Sequence, residues 1–107
     1  MISFEDFQKI ELKIASVRAA ERVEGSSKLV KLTVSLGVEE RQIVAGIGRT
    51  HEPDALVGRE IVVVANLEPK FLGGVESQGM LLAASDGSGA PILLVPEREA
   101  PSGSTIR

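Results

Sequence analysis

Cysteine, tryptophan and tyrosine are all absent from the 107 residues, and histidine occurs once. Without thiols there can be no disulfide and no thiolate metal site. The three phenylalanines are the only aromatic residues. A core must therefore be assembled from Val, Ile, Leu and Ala, and branched aliphatics favour strands over helices. No apolar run approaches the roughly 20 residues that cross a bilayer. Met1 to Ile10 holds Glu5, Asp6 and Lys9 with no apolar stretch, unlike a secretory signal. These absences lead us to expect a cytoplasmic protein with no membrane contact, and the length suits one domain over residues 1–107.

Positive charge is also scarce. Twelve Lys and Arg face fifteen Asp and Glu, a formal charge of −3. Affinity for a polyanion comes from cations that displace counterions, so any nucleic-acid site must be a local basic face on an acidic body. Catalytic constellations are missing too. His51 stands in a loop rich in Gly and Pro, where a solvated imidazole is the expected state. Val75 occupies the place where a nucleophile elbow around Ser77 needs its first glycine. Gly46-Ile47-Gly48 starts like a dinucleotide fingerprint and fails at His51, where the third glycine belongs. The acids Glu5-Asp6, Glu39-Glu40 and Glu97 with Glu99 fall in turns or exposed segments, so neither a carboxylate pair nor a metal site is expected. We therefore expect no enzyme activity, no cofactor and no metal.

The hydrophobic pattern has mostly a period of two. Ser3, followed by Asp6 three positions on, predicts a short capped helix carrying Phe4 and Phe7. Ile10, Leu12 and Ile14 then alternate with polar residues, and Val17 and Ala19 continue on the other parity, which predicts a strand with a β-bulge near Ala15. Val30, Leu32, Val34 and Leu36 alternate cleanly, and Gly37-Val38-Glu39-Glu40 turns that strand back into a hairpin partner over Arg41 to Ala45. Pro53 to Leu56 suits a helical turn. Ile61 to Ala65 is a continuous apolar run typical of a strand covered on both faces. A loop is predicted from Leu67 to Gln78. Further strands are predicted over Met80 to Ala84 and Ile92 to Val95, with an edge strand possible at Thr105-Ile106. Five or six short strands in this length predict an all-β fold. The leading candidate is the OB-fold, a five-stranded Greek-key barrel, here with a short N-terminal helix and a C-terminal extension.

One segment is more specific. Asn66 to Leu82 reads NLEPKFLGGVESQGMLL, and its Asn66-Leu67, Pro69, Gly74 and Ser77-Gln78-Gly79-Met80 resemble the segment that marks a tRNA-binding domain. That domain occurs at the C-terminus of methionyl-tRNA synthetases, in their beta subunits and in free-standing structure-specific tRNA-binding proteins. Asp6 to Ile10 with Leu12, Lys28-Leu29, Arg41 to Ile47, Pro53 with Leu56 to Gly58, and Gly103 to Arg107 are similar to the family as well, nearly end to end. Two stretches depart from it: Val23 to Ser27 replaces a His-Pro-x-Ala-Asp stretch, and Gly48-Arg49-Thr50-His51 lacks the usual basic and tyrosine residues.

The resemblance implies an OB barrel that dimerises through its terminal elements and binds tRNA by shape. It also implies a synthetase catalytic chain as a possible partner. Matched position by position, it nominates Lys28, Arg41, Asn66, Lys70, Ser77 and Met80 as the tRNA-binding residues. The cations suit phosphates, Asn66 and Ser77 suit sugar hydroxyls or base edges, and Met80 suits a base face. Three have a structural alternative. Met80 leads an apolar strand, Ser77 could cap the loop, and Asn66 could end a strand by bonding backbone. Two other roles stay open: capture of unfolded polypeptide, as in the secretion-chaperone branch of the superfamily, and dimerisation of a synthetase.

Overall fold

The computed structural model describes residues 1–107. The first helix, α1 (Phe4–Phe7), is capped as its sequence predicts: the Asp6 N–H donates to Ser3 Oγ at 3.1 Å. The long strand β1 (Leu12–Arg22) follows, then the hairpin β2 (Val30–Ser35) and β3 (Glu40–Ala45), the helical turn α2 (Pro53–Leu56) and β4 (Glu60–Val64). A small hairpin, β5 (Lys70–Leu72) with β6 (Val75–Ser77), precedes β7 (Met80–Leu81). The chain ends in β8 (Ala83–Ala84), β9 (Ile92–Leu93) and β10 (Thr105–Ile106). No helix is long and apolar enough to cross a membrane.

The strands are hydrogen-bonded in the order β3-β2-β1-β4-β7, all antiparallel, and β10 joins β1 at Leu12 and Lys13. Strands β6 and β7 return to the free edge of β3, so the sheet curls into a nearly closed, OB-like barrel. Its interior is aliphatic, as the shortage of aromatics requires. Ala15, Val17, Val30, Leu32, Val34, Ile43, Leu56, Ile61 and Val63 belong to one buried cluster. Leu56 explains α2, which brings one fully buried side chain to the barrel and otherwise stays exposed.

Three details differ from the sequence expectation. The bulge lies at Arg18, between the pairs Val17↔Val34 and Ala19↔Thr33, three residues beyond Ala15. Ile14 and Ala15 are both buried, so both faces of β1 are covered there and the alternation blurs before the bulge begins. The loop expected over Leu67 to Gln78 contains the β5–β6 hairpin instead. Its turn is Gly73-Gly74, with φ of 58° and 78°, the left-handed pair that a two-residue hairpin needs. Finally, the strand expected over Met80 to Ala84 breaks at Leu82: β7 pairs with β4, whereas β8 leaves to pair with β9.

The tail is bound tightly to the body. Gly103 donates its N–H to Ile14 O at 2.7 Å, and its φ of 88° places it against the Leu36 carbonyl, where a Cβ would collide. Gly25 has a similar φ of 80° but open space around it. Urea unfolding should separate strain from collision. Gly25→Ala should cost about 1 kcal/mol of backbone strain, and Gly103→Ala about 3 kcal/mol or more. Equal losses would contradict the tail packing.

Candidate nucleic-acid interface

The seam that closes the barrel also builds the site. Strand β3 gives one edge to β2, and its other edge meets the β6–β7 segment without a regular ladder. Side chains complete the pairing. Ser77, buried at 4% exposure, accepts from the Val44 N–H at 2.9 Å and donates to the Gly79 carbonyl at 2.9 Å. The Gln42 N–H donates to Gln78 Oε1 at 3.0 Å, and the Gln78 N–H returns a bond to the Gln42 carbonyl at 2.7 Å. Gln42 Nε2 reaches the Glu76 carbonyl at 2.8 Å. The Arg41 guanidinium donates to the carbonyls of Ala65 and Gln78 and pairs with Glu39 at 2.8 Å. No buried side-chain nitrogen or oxygen lacks a partner.

Outside this seam lies a hollow of about 510 Å³, walled by Val44, Leu67, Glu68, Lys70, Leu72, Ser77, Gly79 and Met80. Lys70 and Leu72 share one face of the β5–β6 hairpin, as the period of two requires. Met80 is half exposed at the mouth, and Lys70 is exposed beside it. A second, shallower hollow adjoins across Leu67 and is bordered by Glu39, Glu40, Arg41, Pro69 and Gln78. Lys28 does not line the hollow and lies just beyond the end of β3. Its side chain lies over Gly46, two positions beyond Val44, so close that a Cβ at Gly46 would stand 2.8 Å from Lys28 Cε.

The six residues nominated by sequence thus divide by what they touch. Lys28, Lys70 and Met80 are exposed, and of these Lys70 and Met80 line the hollow. Ser77 has its hydroxyl proton and one lone pair engaged in the seam, and Arg41 is half-buried against backbone carbonyls. Asn66 is a strap: its Oδ1 accepts from the Glu11 N–H at 2.9 Å, and its Nδ2 donates to the Lys9 carbonyl at 2.7 Å. It therefore bonds backbone 55 and 57 residues away rather than its own. Glu76, which would repel phosphate, turns away to accept from Gln78 Nε2 at 3.1 Å. Glu68 stands nearer the hollow. Val44, Leu67 and Leu72 were missed in the sequence because their segment read as a loop or as core. The signal available was the Gly-Gly pair between two short apolar runs.

Four of the twelve cations make ion pairs: Lys9 with Asp6, Arg22 with Glu52, Lys31 with Glu21, and Arg41 with Glu39. The Lys31 ammonium, by its hydrogen bond and then its charge, holds the Glu21 carboxyl below the usual carboxylate range. Eight cations remain without a carboxylate partner, including Lys28 and Lys70.

If Ser77 closes the barrel, Ser77→Ala should leave the Val44 N–H unsatisfied and cost about 1–3 kcal/mol in urea unfolding. Lys70→Gln should change stability by less than about 0.5 kcal/mol. Equal stability of Ser77→Ala and the native chain would remove the seam role.

Residues 12–105 match the family described as "Putative tRNA binding domain". A methionine–tRNA ligase of Deinococcus radiodurans is 54% identical over all 107 residues, and one of Methanothrix thermoacetophila is 52% identical over the same length. The chain spans 16% of the length of each. Among solved structures, a MetRS related protein from Pyrococcus horikoshii superposes with a TM-score of 0.95 at 38% identity, covering 100% of this chain and 98% of that one. The chaperone CsaA of Bacillus anthracis superposes with 0.92 at 33% identity, covering 100% and 99%. The chain belongs to the family of tRNA-binding domains that methionyl-tRNA synthetases carry.

Proposed function

We propose that the chain binds tRNA at the hollow between β3 and the β5–β6 hairpin and carries out no chemistry itself. The observation that carries this is the meeting of Lys70 and Met80 at one hollow, with Lys28 exposed over Gly46 just beyond the end of β3. In this assignment Lys28 and Lys70 meet phosphates, and Met80 lies against a base that has left its stack. Ser77 and Arg41 act through the walls, tying β3 to the segment that faces it, and Asn66 anchors the start of that segment to Lys9 and Glu11. The barrel contributes one moderate contact. Joined to a synthetase, it raises the local concentration of tRNA and so increases productive encounters without touching the reaction. We place that work in the cytoplasm, within a single domain of residues 1–107.

We further propose a homodimer joined through the terminal elements. An apolar hollow of about 330 Å³ lies between α1 and β10, lined by Phe4, Phe7, Ile10, Leu12 and Ile106 among others. A second reading, capture of unfolded polypeptide, is favoured by the likeness to the chaperone CsaA. The apolar walls Val44, Leu67 and Leu72 would serve it.

Binding of unfractionated tRNA at several salt concentrations tests the first reading. The native chain should bind, and more weakly as salt rises. Lys70→Gln should lower the slope of log K against log salt by about 1. Met80→Ala should weaken binding about fivefold, the ~1 kcal/mol of a thioether packed on a ring. No binding at low salt, together with binding of a reduced, unfolded polypeptide, would favour the chaperone reading.

A further inference from the structure

We infer that the opposite end of β4 carries a second phosphate site, built around Arg18, Arg59 and Arg98. Here a hollow of about 640 Å³ is walled by those three arginines, Glu60, Glu99 and the Ser16–Ser102 pair, together with apolar residues such as Val95 and Pro96. None of the three arginines makes an ion pair, and none donates a side-chain hydrogen bond within the chain. Three of the eight cations free of carboxylates thus line one concavity, in a chain whose net charge is −3. Guanidinium groups present forks of donors that match phosphate oxygens two at a time.

The fold aims these side chains separately. Arg18 is the unpaired residue of the β1 bulge, a device that redirects a side chain from the strand's alternation. Arg59 is held beside it, since its carbonyl accepts from the Val17 N–H at 2.9 Å. Arg98 arrives on the C-terminal segment, which is fastened at two points. Glu60 Oε1 accepts from the Ala100 N–H at 2.8 Å, and Ser16 Oγ meets Ser102 Oγ at 2.5 Å. Glu60 is thereby partly occupied with backbone. The two serine hydroxyls share one hydrogen bond, so one O–H remains to donate to an anion.

Glu60 and Val64 mark the two ends of β4, and Val64 pairs with Met80. Four residues of strand separate the two hollows by roughly 13 Å along β4, about two phosphate spacings of an extended strand. The occupant is the phosphodiester backbone of the same tRNA whose base meets Met80, so the inference rests on the tRNA reading above. Two moderate sites at a fixed spacing select a folded RNA that presents phosphates to both at once, whereas a dinucleotide, with one internucleotide phosphate, reaches one.

Two RNAs distinguish the sites when measured on the full chain: unfractionated tRNA and a dinucleotide with one internucleotide phosphate. Combining Arg18→Gln with Arg98→Gln should weaken tRNA binding about tenfold and lower its salt slope by about 2. Dinucleotide affinity should stay within twofold of native, and Arg98→Lys should keep the slope. The arginines are exposed, so an unchanged unfolding midpoint should accompany the loss. Unchanged tRNA affinity and slope in the double variant, with the Lys70→Gln effect intact, would overturn the second site alone. Failure of the native chain to bind tRNA would overturn both readings.

Discussion

A strand edge inside a small barrel must satisfy its N–H groups, and on β3 that requirement falls on two side chains. The closing strand is too short and too irregular to offer a full ladder, so Ser77 takes the Val44 N–H and Gln78 takes that of Gln42. A buried donor left unpaired costs about 1–3 kcal/mol, a large share of what a domain of this size has to spare. The short serine and glutamine side chains fix how far β3 stands from the β5–β6 hairpin. Everything on the outer face inherits that distance, including the hollow that Lys70, Leu72 and Met80 frame. Architecture and recognition therefore depend on the same few atoms. Substitutions in the Ser77-Gln78-Gly79-Met80 run will mix loss of stability with loss of binding unless both are measured.

The charge balance is resolved by position. An acidic chain can bind a polyanion when its carboxylates are occupied or turned away and its cations are free where they are needed. Glu76 turns to Gln78, Glu60 to Ala100, Glu39 to Arg41 and Glu21 to Lys31. Lys28, Lys70 and the three arginines at the far end of β4 are left without carboxylate partners. On the proposed reading, the remaining acidic surface favours a ligand that places phosphates only at those points.

Much of this architecture could be read from residue order. The alternation of Val30, Leu32, Val34 and Leu36 marks a strand whose inward set is fully buried, and the Ser3 cap and the Pro53 turn stand where their chemistry predicts. Alternation fails wherever a strand is covered on both faces, as at Ile14 and Ala15, or too short to show a period, as in β5 to β9. The site was legible in a different sense. The family motif pointed to a segment that walls one hollow, lined by Lys70, Ser77 and Met80. It could not separate the residue that faces the ligand from the residue that holds the wall. Ser77 and Met80 are three apart in sequence, yet one is buried in the seam and the other half exposed at the mouth. That distinction depends on β3, more than thirty residues earlier, and no local pattern contains it.

The two methionines offer a direct test, because Met1 and Met80 are the only residues of their kind. With both ε-methyl groups labelled with carbon-13, a titration with tRNA gives two resolved signals, one at the proposed site and one at the N-terminus. The account predicts that the Met80 methyl shifts in proportion to bound tRNA while the Met1 methyl keeps its position. A Met80 signal that does not move under saturating tRNA would contradict the placement of the base at this hollow.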